Sequence, residues 1–349
     1  MTVLKRFVAG ALASDAMTSI LRPLASGVAS VFMMHRFADP DRQNAGHDCE
    51  ALRSHLAYLR RMRYELVGLL ELAKRLEVRD ARLARTVAFT VDDGYADYAT
   101  AGARVFEEFD CPATVFIVTG VVDTGGWYWW DRLRVALELA ERRTLEIELA
   151  GEPLQLTWTD AASAARAART IVVRLKPVPD AERRKLLDAI PSLVGADVPA
   201  SPPARYAPMT WDEIRACGRG VTTFGAHTVT HPILSRTDDA ESQSEMETSW
   251  RRLTSETTAA IPVFCYPNGE EADFGERETR VLRDLGMAAA VTSLAGYATV
   301  NAFHRAPDSR FRIPRFSYGG ERNELVQVVS GVERMKMAVR RAVAPRASA

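Results

Sequence analysis

Long hydrophobic runs are missing from this chain. No apolar stretch reaches the roughly 18 residues that cross a bilayer, so no segment reads as a transmembrane helix. Cysteine is sparse. Cys49, Cys111, Cys217 and Cys265 are widely spaced and form no Cys-x-x-Cys pair. That spacing suggests neither a disulfide framework nor a cysteine-based zinc site; it fits buried free thiols in a reducing compartment. An excess of charge of one sign is also lacking, because Lys+Arg and Asp+Glu each number 45. Without a global basic charge nothing argues for nucleic acid. Internal repeats and long low-complexity tracts are absent too. Histidine is scarce, six in 349 residues, which makes any pairing of histidines informative.

What is present suits a sizeable core. Hydrophobic residues make up 47% of the chain, and its length is normal for one α/β barrel with insertions. Strand and helix signals alternate, the pattern of parallel βαβ units. Strands are expected at Ala29–His35, Thr86–Val91, Ala113–Val118, Val221–Ala226, Pro262–Tyr266, Ala288–Thr292 and Arg312–Ser317. Helices are expected at Glu50–Arg63, Ala99–Phe109 and between Asp238 and Thr257, the last opening on an Asp238…Glu241 capping box. Residues 28–320 read as the barrel. Within it, residues from about 121 to 208 break the rhythm and read as a mostly helical insertion, with a basic helix near Ala161–Leu175. A C-terminal helix is expected over Glu321–Val343, with a tail to residue 349. The first 27 residues read as a helical segment, since Leu4, Phe7, Val8, Ala11 and Leu12 share one helical face. Such a helix packs on the barrel or touches a membrane surface. The apolar run is only about seven residues, the lower limit for a signal core, so a cytoplasmic or membrane-peripheral setting is favoured over secretion.

Two short segments carry the chemistry. One is Phe89-Thr90-Val91-Asp92-Asp93-Gly94-Tyr95, at the end of an expected strand; the other is His227-Thr228-Val229-Thr230-His231-Pro232, at the end of another. Asp-Gly alone is common turn chemistry. Together the segments offer two imidazoles and a carboxylate, a three-ligand set for a divalent metal. A second carboxylate is left over as a base. Pro232 disfavours helical geometry at His231, so the histidine pair is expected on a loop. In parallel barrels the C-terminal ends of the strands are where active sites assemble.

On these segments the chain resembles the polysaccharide deacetylases with NodB homology, carbohydrate esterase family 4. Thr90-Val91-Asp92-Asp93-Gly94 matches the family's Thr-Phe-Asp-Asp-Gly with Val for Phe. His227-Thr228-x-x-His231 meets its His-Ser/Thr-x-x-His in full. The resemblance covers roughly residues 28–120 and 205–318. It implies an irregular (β/α) barrel, Asp92 as general base, and Asp93, His227 and His231 as metal ligands. The third family motif, Arg-x-Pro-Tyr, appears as Cys265-Tyr266-Pro267-Asn268. The arginine that orients the catalytic aspartate is therefore replaced by Cys265. The backbone N–H of Asn268 can still serve as the oxyanion donor. The Tyr-Pro-Asn-Gly form is similar to the poly-N-acetylglucosamine deacetylase branch. That branch carries its acid histidine on an N-terminal strand, which points to His35 in Val31-Phe32-Met33-Met34-His35, with His304 as the fallback.

Around this core, Trp127-Tyr128-Trp129-Trp130 can stack on sugar faces or anchor a core. Asp131 can line the cleft or cap the helix after it. Tyr266, Trp129, Trp130 and Arg315 are the expected substrate contacts. Arg315, a strand-end cation, can alternatively supply the charge that Cys265 lacks or pair structurally elsewhere. The resemblance implies removal of N-acetyl groups from an amino-sugar polysaccharide or oligosaccharide, with a divalent ion. Zinc is the first choice; cobalt, nickel or iron are also compatible. The alternatives are hydrolysis of a small non-peptide amide on the same fold, and a non-catalytic glycan-binding relative.

Overall fold

The computed structural model describes residues 22–149 and 151–343. The expected N-terminal helix falls largely outside these residues. Eleven strands are formed among the described residues: β1 (Val28–Met34), β2 (Glu65–Leu66), β3 (Thr86–Val91), β4 (Ala113–Ile117), β5 (Thr144–Leu149), β6 (Glu152–Thr157), β7 (Thr222–Ala226), β8 (Ala260–Cys265), β9 (Ala289–Val291), β10 (Ala298–Thr299) and β11 (Phe316–Ser317). Nine of them make one sheet in the order β10-β1-β3-β4-β7-β8-β9, with β11 on β1 and β2 on β3. Every pairing in it is parallel except β10 on β1.

The segment from Ile313 to Ser317 closes the ring. Ile313 bridges Val291 in parallel and exchanges hydrogen bonds with Ala290 and Thr292. Three residues later Phe316 pairs with Phe32 of β1. The result is an irregular (β/α) barrel. The run Thr86–Val91 is buried at every position, as a parallel strand covered on both faces must be. Alternate side chains separate cleanly. Phe32, Phe89, Val115, Phe224 and Phe264 join the outer core against the helices. Val31, Ala88, Phe116, Val263 and Val291 join a second cluster with Leu69, Leu72 and Leu76 of the helix Leu69–Glu77.

Between β4 and β7 the chain leaves the sheet. After the short helix Thr119–Thr124, the helices Trp129–Leu139, Ala161–Leu175 and Asp180–Val194 surround a separate core that includes Leu133, Leu137, Trp158, Ile171, Leu175 and Ile190. The stretch is less purely helical than expected. Strands β5 and β6 make an antiparallel hairpin, with Leu145 and Leu149 turned into that core. Gly151, at φ +78°, sits in its turn, a conformation glycine adopts at little cost.

Two further expectations are corrected. The C-terminal helix is two helices, Arg322–Val329 and Val332–Val343. The break is at Gly331, whose φ is +83° and where a Cβ would lie 2.8 Å from the Leu24 carbonyl carbon. At the helix Asp239–Glu256, Asp238 caps the Glu241 N–H. Glu241 does not complete a capping box; its carboxylate pairs with Arg184 at 2.7 Å. Among the described residues no helix is long and apolar enough to cross a membrane.

Candidate active site

The end of β3 turns sharply. Asp92 N–H donates to the Met34 carbonyl at 2.9 Å, which extends the ladder by one residue. Asp93 then takes φ +73° and Gly94 φ +76°. Adjacent side chains on a strand point to opposite faces; the left-handed turn places both carboxylates on one cleft. The positive φ of Gly94 favours glycine, and a Cβ there would also displace Ile117 Cδ1, 2.7 Å away. Thr228, His231 and Asn268 also have positive φ, at 66°, 60° and 62°. Strain of this kind is held where the surroundings over-determine the backbone, as at functional sites.

Asp92 is 4% exposed. Arg315, 1% exposed, grips it with two parallel bonds, Nη1 to Oδ1 at 2.6 Å and Nη2 to Oδ2 at 2.8 Å. The same guanidinium donates to Thr90 Oγ1, to the Thr292 carbonyl, and to Cys265 Sγ at 3.3 Å. Burial alone would push the Asp92 carboxyl up; the Arg315 charge and its hydrogen bonds more than offset this and hold it well below the usual carboxylate range. Arg315 therefore comes from a different strand end to occupy the space beside Cys265. Its expectation as a substrate contact is corrected, because all its donors are directed at protein groups beneath the cleft.

Asp93, His227 and His231 present one ligand atom each within 4.8 Å of one another. Asp93 Oδ1 is 3.5 Å from His227 Nε2 and 3.6 Å from His231 Nε2. The other nitrogen of His227, Nδ1, is 2.7 Å from the Cys265 carbonyl. A carbonyl only accepts, so Nδ1 carries the proton and Nε2 is the nitrogen directed at Asp93. Burial, and next His227, pull the His231 imidazole down to about 3, which keeps it in the neutral form that binds metal. Burial also opposes protonation of His227, yet its two flanking acceptors, Cys265 and Asp93, raise it well above the ordinary value. One carboxylate oxygen and two imidazole nitrogens converge on the same space, and this donor set fits a divalent ion. A second cluster, Asp92, His227 and Cys265, also lies within reach. It does not fit one: Arg315 already binds both the Asp92 carboxylate and the Cys265 sulfur, and that fixed cation repels another.

The His-x-x-x-His segment is a loop, as expected. It is held by residues the sequence did not single out. Glu245 accepts from Val229 N–H, Thr230 N–H and the Thr230 hydroxyl. Thr119 and Gly120 donate to the Thr228 and Val229 carbonyls. Tyr128 donates its hydroxyl to the Asp93 carbonyl at 2.6 Å, and Tyr95 donates to Asp131 at 2.6 Å. Asp131 neither caps its helix nor lines the cleft; it is a buried acceptor, raised to about 6 by burial. A buried glutamate on the inner face of a helix was the one readable signal, since such a group must have partners.

A cavity of about 400 Å³ lies over these groups, lined among others by His35, Asp92, Asp93, Trp129, Trp130 and Asn268. His35 Nε2 is 3.9 Å from Asp92 Oδ2, and its side chain is 45% exposed. Trp130 packs edge-on against His231 at 4.7 Å and donates to Tyr95. Trp129 also borders the cavity, beneath the Arg183 guanidinium. Tyr266 meets the cavity, but its ring is stacked on Phe274 at 3.9 Å and only 1% exposed, so no free face remains for a sugar. The Asn268 N–H has no hydrogen-bond partner among the described residues. The fallback acid His304 lies elsewhere. Its Nε2 is 3.0 Å from the Leu76 carbonyl, in a different cavity near the N-terminal end of β9.

The polysaccharide deacetylase family model matches residues 79–149 and 196–290, and the chain belongs to that family. The two matched stretches contain Asp92, Asp93, His227, His231 and Asn268 and leave out residues 150–195, most of the separately packed insertion. Removal of acetyl groups from polysaccharide is thus its class of activity. None of the curated protein sequences matches the chain. Three solved structures are similar in fold. The deacetylase PplD of Streptococcus pyogenes, solved with acetate, has a TM-score of 0.54 at 15% identity, over 86% of this chain and 98% of that one. IcaB of Ammonifex degensii has 0.51 at 14%, over 87% and 97%. A de-N-acetylase of Aggregatibacter actinomycetemcomitans has 0.50 at 13%, over 84% and 96%.

Removing Arg315 tests the first of these contacts. Arg315→Ala leaves a buried carboxylate unpaired and costs about 3–5 kcal/mol, read as a lower denaturation midpoint. It also lowers activity on every acetylated substrate by a similar factor, because the base is misoriented for all of them. Unchanged stability and turnover would show the pair to be incidental.

Proposed function

We propose that this chain hydrolyses the N-acetyl group of an amino-sugar glycan, releasing acetate and a free amine, with a divalent ion held by Asp93, His227 and His231. The observation that carries the reading is the separation of roles in two adjacent carboxylates. Asp92 is locked on Arg315, and Asp93 faces two imidazoles. An ion in that position supplies an activated water and polarises the acetyl carbonyl. Zinc suits this donor set best; cobalt, nickel or iron are also compatible.

The rest is the work of the chain. Asp92 accepts the proton as water attacks. A carboxylate held so far down is ionised throughout the neutral range and is a weak base; an ion held by Asp93, His227 and His231 would lower the pKa of the water it has to deprotonate. The Asn268 N–H donates to the oxygen on which negative charge develops. His35, at the rim, protonates the departing nitrogen. Trp129 and Trp130 form an aromatic wall for the sugar. The cavity is near the lower end of the ~300–1,000 Å³ typical of small-ligand sites, which suits one amino sugar and its neighbour at a time. The branch of poly-N-acetylglucosamine deacetylases is the one we assign, on the Tyr-Pro-Asn-Gly motif and the position of His35.

Two measurements test this reading. On a panel of N-acetylated and O-acetylated glycans, free amine should appear together with acetate on the N-acetylated members. Acetate from O-acetylated glycans alone would redirect the assignment to an esterase. For His35, His35→Ala should keep the fold and the metal and lose about 10²- to 10⁴-fold on an N-acetyl sugar. On an activated acetyl ester, whose leaving group needs no proton, the loss should be small. An equal loss on both would make His35 a structural or binding group.

A further inference from the structure

The insertion reaches the cleft through one cation. Val172 and Lys176, four residues apart and so on one helical face, both border the cavity. Lys176 Nζ donates to Asn268 Oδ1 at 2.5 Å. It has no carboxylate partner among the described residues, although the chain elsewhere pairs most of its buried cations with acids. From the other side, the Asn268 side-chain amide donates to Asp273 Oδ2, which also accepts the Glu270 N–H at 2.8 Å. The Asn268 side chain is thus pinned at its oxygen by the insertion and at its nitrogen by the barrel. This is the residue whose backbone stands at φ +62°, with its N–H unpaired. A non-glycine residue at positive φ persists only where its surroundings hold it.

We propose that Lys176 is a positioning residue: by holding the Asn268 side chain it keeps the Asn268 N–H aimed into the cleft, so that catalysis depends on docking of the insertion. The inference rests on the deacetylase reading of the same cleft, and nothing in the family motifs requires it, because Lys176 lies in the stretch that the family model leaves out. The insertion has its own core, and it meets the far side of the cleft through polar contacts such as Lys176 with Asn268 and Arg184 with Glu241. Contacts of that kind form and break more readily than an apolar interface.

A kinetic double-mutant cycle tests the proposal. Lys176→Met should lower kcat about 10- to 100-fold, the scale of a misplaced or lost oxyanion donor. KM should stay within about threefold and metal content should not change. Lys176→Arg, which keeps a donor, should restore most of the loss. Asn268→Gly retains access to positive φ but removes the side-chain handle. In that background Lys176→Met should cost less than about twofold more, because coupled residues are not additive. Equal losses in both backgrounds, or a loss confined to KM, would overturn the proposal and make Lys176 a direct substrate contact.

A readout without turnover separates this from the deacetylase reading. In protein labelled with 15N-asparagine, Lys176→Met should shift the Asn268 backbone amide resonance. Lys185→Met, at an exposed position of the next helix, should not. An Asn268 amide unmoved by Lys176→Met overturns the proposal whether or not the enzyme releases acetate. An amide moved by Lys176→Met, alongside a wild-type protein that releases no acetate, would count against the deacetylase reading and leave the positioning intact.

Discussion

Asp92→Asn should lower turnover by about two to four orders of magnitude, the contribution of a general base, while the protein still binds its full complement of metal. The substitution keeps size and shape and removes the negative charge, and with it the capacity to take a proton. Asp92 is not a member of the ligand set that fits an ion; its oxygens are bonded to Arg315 at 2.6 and 2.8 Å. Metal measured by elemental analysis and kcat measured by acetate release therefore separate. The variant should also be less stable than wild type, because Arg315 is left charged and buried beside a neutral amide. Turnover equal to wild type would remove Asp92 from the reaction. Loss of metal in step with activity would make it a ligand instead.

Replacing the ligands should have the reverse signature. His227→Ala should lose bound metal and activity together, and Asp93/His227/His231 replaced together by alanine should bring bound metal to background. Two donors left from three hold a divalent ion poorly, and His227 additionally fixes its partner geometry through the Cys265 carbonyl at 2.7 Å. Added zinc should not restore the triple variant. Near-stoichiometric metal retained in it would place the ion elsewhere and remove these three residues from the ligand set.

The parts of this site that the sequence made legible are contiguous in it. Asp92-Asp93-Gly94 and His227…His231 are each carried by one strand end, so a short pattern contains both the residues and the turn that aims them. The barrel was legible for the same reason, since buried parallel strands such as Thr86–Val91 are uninterrupted apolar runs between helical periods. Contacts between distant segments were not. Arg315 could be recognised as a strand-end cation, but its partner lies 223 residues away, and only closure of the ring by Ile313–Ser317 brings the two together. Glu245, Tyr128 and Lys176 carry no motif; each matters through a partner on another element. The hairpin β5–β6 was readable in principle, because Leu145, Ile147 and Leu149 alternate with polar residues. Its place in the chain between two helical stretches concealed it. The break at Gly331 was hidden by helical spacing that continues on both sides. The Tyr266 ring reads as a sugar platform in sequence, and only the packing of Phe274 against its face removes it from that role.

The most direct measurement is acetate release from a defined N-acetylglucosamine oligomer by the same protein stripped of metal and then reloaded. The account predicts no acetate above background from the stripped protein, and recovery in proportion to about one divalent ion per chain, with one free amine formed for each acetate. Acetate release that is indifferent to metal removal, or a fully loaded protein that frees no amine from any N-acetylated glycan, would contradict it.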